Sequence, residues 1–304
     1  MWLEDNSNIN IIYILLLFCS ISYIKKQEKK YLMENNNQET EDQNFITNSN
    51  IYKHYQYKTA LYNLVKRDFI VKYRRSILGI LWSVLNPFLM MVVISAVFSY
   101  MFRFDVEHYP VYYLTGYILF TMFTSSTSGA ISSIINSAML IKKMYIPNYL
   151  FPVEKCLFEF INTSVSLIAL AAVLIWFKIH AALSWLLIPL RFIYIFIFCV
   201  GIAFILSSLN VYFRDIGHLY SVVTKVLIYA TPVFYPVTIL PPEIMQIMNW
   251  NPLYHFIDYF RIIILDGQIP SLNANLICAA FAFGSFFTGA VVFRLLQRKF
   301  ILYI

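Results

Sequence analysis

Six stretches of this chain, residues 82-102, 111-135, 153-177, 183-209, 217-237 and 273-293, run almost without charge. A helix needs roughly 20 mostly apolar residues to cross about 30 Å of hydrocarbon, and each stretch is long enough. The pattern predicts an all-α, polytopic membrane protein with six transmembrane helices. Composition agrees, since 60% of the 304 residues are hydrophobic, 18% aromatic and only 13% charged, too oily for one soluble core. The net charge of +7 does not point to nucleic acid, because the cations sit in short clusters between apolar runs. Lipid headgroups are the partner such clusters fit.

The clusters also set an orientation. Lys66, Arg67, Lys72, Arg74 and Arg75 precede the first stretch, Lys142 and Lys143 follow the second, Arg214 the fourth, and Arg294, Arg298 and Lys299 the sixth. All fall on one side, which the positive-inside rule assigns to the cytoplasm together with both termini. The opposite connections carry Asp105, Glu107 and His108, then Lys178 and His180, then Glu243 and Asp266.

Two regions depart from a simple count of spans. Residues 236-272 are strongly apolar but broken by Pro241, Pro242 and the Asn-Trp-Asn-Pro run at 249-252, so each half is too short to cross. They read as a re-entrant helical pair before the last span, or as two helices lying flat on the outer surface. At the other end, residues 1-57 form an extension to the six-span domain at 58-304. Its apolar run 10-24 follows Glu4 and Asp5, where a secretory signal carries cations, and Met33 opens a polar Asn-rich stretch. Synthesis beginning at Met33 and a weak extra span are both compatible with this pattern.

Before the first span, Leu61, Leu64, Val65 and Phe69 share one side of a helical wheel, with Asn63, Lys66, Arg67 and Arg74 away from it. Asp68 and Lys72 intrude on the apolar side, where their i,i+4 spacing lets them pair. The spacing predicts an N-terminal amphipathic helix in the cytoplasmic interface, with its cations near lipid phosphates. A topology anchor explains the same cations.

No glycine opens a GxxxxGK[ST] phosphate cradle, so energy must come from a partner or an ion gradient. Ion coupling calls for acids or histidines near the midplane, yet Glu154 and Glu159 lie near the cytoplasmic end of the third span. Arg191 and Lys225 are the embedded charges, each able to snorkel toward an interface. Cys19, Cys156, Cys199 and Cys278 are dispersed in or beside apolar segments without ligand spacing and read as inert packing.

Five stretches in order, "RDFIVKYRRSILGILWSVLNPFLMM", "LIKKMYIPNYLFP", "YFRDIGHLY", "TPVFYPVTILP" and "NPLYHFIDYFRIIILDGQIP", resemble the membrane subunits of ABC exporters for cell-surface polysaccharides and polyol phosphates, including O-antigen, capsule and teichoic acid permeases. The resemblance covers residues 58 to 304. It implies a multi-pass permease of the bacterial cytoplasmic membrane, acting as a homodimer with two copies of a separate ABC ATPase subunit. That partner would handle ATP and Mg, leaving this chain without a cofactor or a metal and without catalytic residues of its own. The resemblance also implies that the interfacial helix, with Arg67, Lys72, Arg74 and Arg75, admits a lipid-linked polymer. The connection 136-149, with Met139, Leu140, Lys142, Lys143 and Pro147, would engage the ATPase. After Pro147 the chain departs from the family, carrying Asn148 and Tyr149 where a charged residue is common.

A path for sugars has candidates too. Thr121, Ser125, Ser128 and Ser132 fall on one stripe of the second span, suited to close helix packing or to a polar conduit. Tyr112, Tyr113, Tyr117, Phe234, Tyr235, Trp250 and Tyr254 cluster toward the outer end, as an interfacial belt or as stacking surfaces for sugar rings. Two other functions compete: a membrane-embedded glycosyl- or acyltransferase built on Asp258, His255 and Arg261, and an ion-coupled flippase for lipid-linked glycans.

Overall fold

The computed structural model describes residues 41–98, 106, 108–143, 146–179 and 182–304. The apolar run 10-24 and Met33, with Asp105, Glu107, Met144 and His180, lie outside the described residues. The chain divides into two units, Met1–Gln56 and Tyr57–Ile304. Of the first, residues 41–56 are helical.

Among the described residues every regular element is a helix. The order is α1 (Glu41–Tyr73), a 3-10 turn (Gly79–Leu81) leading into α2 (Trp82–Val97), α3 (Tyr109–Ile131), two short helices α4 (Ser133–Asn136) and α5 (Ala138–Lys143), and α6 (Leu150–Trp176). A 3-10 turn (Leu183–Leu187) then opens α7 (Ile188–Tyr212), followed by α8 (Ile216–Ala230), α9 (Pro242–Met248), α10 (Pro252–Ile264), α11 (Leu272–Leu296) and α12 (Phe300–Tyr303).

By length and composition four segments can cross a membrane: Gly79–Val97, Leu150–Trp176, Leu183–Tyr212 and Leu272–Tyr303. The other two expected spans differ in instructive ways. Helix α3 has 23 residues but is diluted by Tyr, Thr, Ser and Gly. It sits inside the bundle, with Val111, Tyr113, Leu114, Thr115, Leu119 and Met122 wholly buried, and the hydroxyls of Thr115, Ser126 and Thr127 are enclosed by protein. Helix α8 was expected to reach residue 237 but ends at Ala230 after 15 residues. Thr231 is extended (φ -112°, ψ 135°) because the ring of Pro232 disfavours a helical residue before it.

The break in residues 236-272 falls where the sequence puts it. Asn251 caps α10, its side chain accepting from the Leu253 amide at 3.0 Å, and Pro252 occupies the first turn. Helix α10 does not lie on a surface: Phe256, Phe260 and Ile263 are fully buried among α3, α7 and α11. Helices α7 and α11 approach each other closely. Gly201 faces the backbone of Ser285 and Phe286, and a methyl group on Gly289 would stand 2.9 Å from the Gly201 Cα. Only residues without a side chain allow two helix backbones this near each other.

Arg191 corrects the expectation of snorkelling. Arg191 is fully buried and donates to the carbonyl oxygens of Phe256 (3.2 Å) and His255 (2.9 Å) and to Cys278 Sγ (3.2 Å). Cys278 is thus a hydrogen-bond partner as well as packing. Phe256 and Tyr259 lie 4.7 and 4.2 Å from the Arg191 guanidinium, so ring faces stand in for the water it has lost. Lys225, by contrast, is exposed on α8.

Candidate functional site

Helix α6 carries Lys155, Glu159, Asn162 and Ser166 at spacings of four, three and four residues, which place them on one side of the helix. Helix α1 and the start of α2 lie against that side. Phe69 packs on Phe158 with ring centroids 4.5 Å apart, and Leu64, Val65 and Phe69 are buried, the face that sequence periodicity picks out.

Around this apolar contact the polar groups pair across the helices. Asp68 accepts from Arg67 Nε (3.1 Å) and Nη2 (3.0 Å) and forms an ion pair with Lys155, which also lies 3.5 Å from Glu154. Lys72 reaches Glu159 at 3.5 Å while its ammonium sits 4.9 Å from the Phe158 ring centroid. The i,i+4 pairing expected between Asp68 and Lys72 therefore does not form. An exposed pair on one helix gains only about 0.2–0.5 kcal/mol, and partners on α6 in a less solvated site outcompete it. Burial alone would raise the Asp68 carboxyl, but the Lys155 hydrogen bond and charge, with Arg67 beside it, hold it below the usual carboxylate range.

Next to these pairs lies a cavity of about 350 Å³. Its wall includes Lys72, Tyr73, Trp82, Ser83 and Asn86 from α1 and α2, Tyr117, Thr121 and Ser125 from α3, and Glu159, Asn162 and Thr163 from α6. Asn162 anchors one side: its Oδ1 accepts from the Tyr73 hydroxyl at 2.8 Å and from Ser83 Oγ at 2.6 Å, and its Nδ2 donates to Glu159 at 3.0 Å. Ser166 donates to the Ser83 carbonyl at 2.8 Å. Hydroxyls, amides, one carboxylate, one ammonium and three aromatic side chains in one cavity form the set that binds a polyhydroxylated ligand.

The structure divides the other candidates. Tyr117 and Ser125 line this cavity; Ser128 is exposed and lies outside its wall. Tyr112, Tyr113, Phe234 and Tyr235 come together near α10: Tyr113 stacks on Tyr117 and Phe234, and the Tyr112 hydroxyl donates to the Tyr235 carbonyl at 2.9 Å. Tyr254 is buried, whereas Trp250 is 82% exposed. Arg67, Arg74 and Arg75 are exposed on α1 and just after it. Met139 is 79% exposed on α5, with Lys142 and Lys143 exposed beside it, while Leu140 and Pro147 are half-buried. Lys142 donates to the Ile304 carbonyl at 2.7 Å.

Of the acid, histidine and arginine considered for transferase chemistry, the arginine and the histidine are committed to carbonyls of the bundle. Arg261 points inward, donating to the Tyr112 hydroxyl (2.8 Å) and to the carbonyls of Pro232 (2.8 Å), Tyr112 (3.2 Å) and Val233 (3.2 Å). Gly116 leaves the room it needs, since a methyl group there would meet Arg261 at 2.8 Å. His255 is engaged by the Asn249 carbonyl at 2.7 Å. Among the described residues no three His, Cys, Asp or Glu side chains group as a metal site would require.

The sequence profile of ABC-2 type transporters matches residues 59–265, from within α1 to the end of α10. This chain belongs to the ABC-2 type transporter family. The O-antigen export system permease protein RfbA of Klebsiella pneumoniae is 30% identical over 240 residues, 78% of this chain and 92% of that protein. Its namesake from Myxococcus xanthus is 25% identical over 248 residues, 81% and 95% of the two chains. The capsule polysaccharide export inner-membrane protein CtrC of Neisseria meningitidis serogroup B is 24% identical over 203 residues, 65% and 76%. As an ABC-2 type transporter the chain is a membrane permease, and the cavity and its ion pairs fall wholly inside the matched region. Sequence reasoning did not single out Tyr73, Asn86, Lys155, Asn162 or Ser166. The signal was present as a polar stripe at 155, 159, 162 and 166 on an otherwise apolar helix.

Proposed function

We propose that this chain is the membrane subunit of an ABC exporter that carries a lipid-linked cell-surface polysaccharide or polyol-phosphate polymer across a bacterial cytoplasmic membrane. Family membership over residues 59–265, with permeases for O-antigen and capsule export among the relatives, carries the reading. The cavity supports it: Trp82 and Tyr117 supply faces for sugar rings, and Asn86, Thr121 and Ser125 supply partners for hydroxyls. Lys72 in its wall, followed by Arg74 and Arg75, suits the phosphates that join a glycan to its lipid.

In this reading α2, α3, α6, α7, α8 and α11 are the six spans, and both termini are cytoplasmic. Helix α3 crosses shielded by its neighbours, and α9 with α10 dips in from the outer side and returns. Two copies of the chain flank the path, and two ATPase subunits, each with ATP and Mg, dock on the cytoplasmic connection around Met139, Leu140, Lys142, Lys143 and Pro147. The exposed Met139 and the two lysines there offer an apolar contact rimmed by charge.

Deleting the chain from its source cell tests the reading. Surface polysaccharide, measured as periodate-oxidisable sugar on intact cells, should vanish while lipid-linked polymer accumulates inside. Unchanged surface polymer would refute the exporter reading.

A further inference from the structure

We propose that the second half of the interfacial helix, residues 57–73, and helix α6 move as one mechanical body, with Asp68, Lys72 and Tyr73 as positioning residues that fasten the cavity wall to the helix following the ATPase-side connection. The inference rests on the exporter reading above. It starts from how α1 spends its polar groups. A helix held by lipid alone would direct its cations to phosphates and keep acids off its apolar side. Here Asp68 is taken by Lys155, Lys72 by Glu159 and the Tyr73 hydroxyl by Asn162, three ties in register along one stripe of α6. Phe69 against Phe158 closes the apolar side of the same seam. Ser83, at the start of α2, is held by the Tyr73 hydroxyl, Asn162 and Ser166, so the turn between α1 and α2 is fastened as well.

The other end of α6 gives the fastening its consequence. Helix α6 begins at Leu150, and its first amides bond back to the connection, Leu150 to the Pro147 carbonyl at 3.1 Å and Phe151 to that of Asn148 at 3.4 Å. A displacement of that connection therefore reaches Lys155 within two turns of helix and passes through the ties to α1 and the cavity wall, with no flexible joint between. Any one exposed ion pair contributes little, but several polar contacts around a buried aromatic pair act together. Lipid anchoring makes a different demand: removing the Asp68 anion would then leave export unchanged, because every cation of α1 is still present.

Two measurements decide between these. In cells, D68N and K155Q should each lower export of the native surface polymer by roughly five-fold at unchanged membrane level of the permease, and the double variant should be no worse than either single, as for partners in one tie. Full export in both singles, or losses that multiply in the double, would overturn the inference. In the purified complex with its ATPase subunit, and with Cys19 replaced by serine, D68C and K155C are joined by a short, cleavable bifunctional thiol reagent; the remaining native Cys156, Cys199 and Cys278 are buried. The unjoined complex should transport about five-fold less than the native one, and joining should bring ATP-driven transport back to within about two-fold of the native rate, since the bridge replaces the tie and the two helices need not part. Loss of transport that returns on cleaving the bridge would show that α1 separates from α6 in each cycle, and the inference would fail. Absence of ATP-driven transport in the unmodified complex would instead count against the exporter reading.

Discussion

Replacing Gly201 by alanine tests the packing that sets the distance between α7 and α11. The added methyl would lie inside the backbone of Ser285 and 2.6 Å from the Phe286 amide nitrogen. Backbone atoms of a helix cannot rotate away as a side chain would, so the two helices must part by about 1 Å to restore ordinary contact, and a gap of that size forfeits a quarter to a half of each dispersion contact along the seam. Overpacking of this kind costs about 1–3 kcal/mol, and the fixed obstacle puts Gly201 at the upper end. Alanine recovers about 1 kcal/mol of helix propensity, leaving a net loss of about 2 kcal/mol. For a domain of this size that corresponds to a fall of about 4–8 °C in melting temperature. Gly284 lies on the facing helix α11 with nothing within 4 Å of an added methyl, so Gly284→Ala serves as the control and should be neutral or slightly stabilising. The assay is thermal unfolding of the detergent-purified permease, followed by the loss of monodisperse protein after heating. A Gly201→Ala protein melting at or above the Gly284→Ala protein would refute the reasoning.

Arg261→Met should destabilise the permease by about 3–5 kcal/mol in the same assay, because it strands the buried carbonyls of Tyr112, Pro232 and Val233, with Arg261→Lys intermediate; a Met variant as stable as the native chain would show that those carbonyls find other partners. Because Asp68 is held below the usual carboxylate range, its contribution to the α1–α6 contact is present above that range and is lost only as pH falls through the lowered value. Hydrogen exchange of residues 64–73, corrected for its intrinsic pH dependence, should therefore be the same at pH 7 and pH 5, and increased exposure at pH 5 would contradict the assignment.

The helical bundle was legible because its signals are local. Apolar runs of membrane length, Pro241 and Pro242, and the Asn-Trp-Asn-Pro break state where helices must start and stop, and the observed breaks fall there. The Leu64, Val65 and Phe69 face of α1 was readable from periodicity alone. Helix α8 ran short of expectation because hydropathy does not register how Pro232 constrains Thr231. The cavity was half legible: Tyr117, Thr121, Ser125 and Lys72 carry visible patterns, whereas Asn86 is a lone amide in an apolar helix and Asn162 belongs to a polar stripe on another, and nothing in the sequence says that both line one cavity.

By itself the sequence determined the helical class, the greasy segments, the cationic connections and the family, since each depends on residue type and spacing along one chain. Only the tertiary structure decided who partners whom. Asp68 took Lys155 over Lys72, Lys72 took Glu159, and Arg191 and Arg261 turned inward to carbonyls instead of outward to an interface. The physical reason is that a charge gains a few tenths of a kcal/mol from a solvated neighbour on its own helix but far more from a partner in a site with little water, and which helix faces meet there is set by packing across the whole bundle.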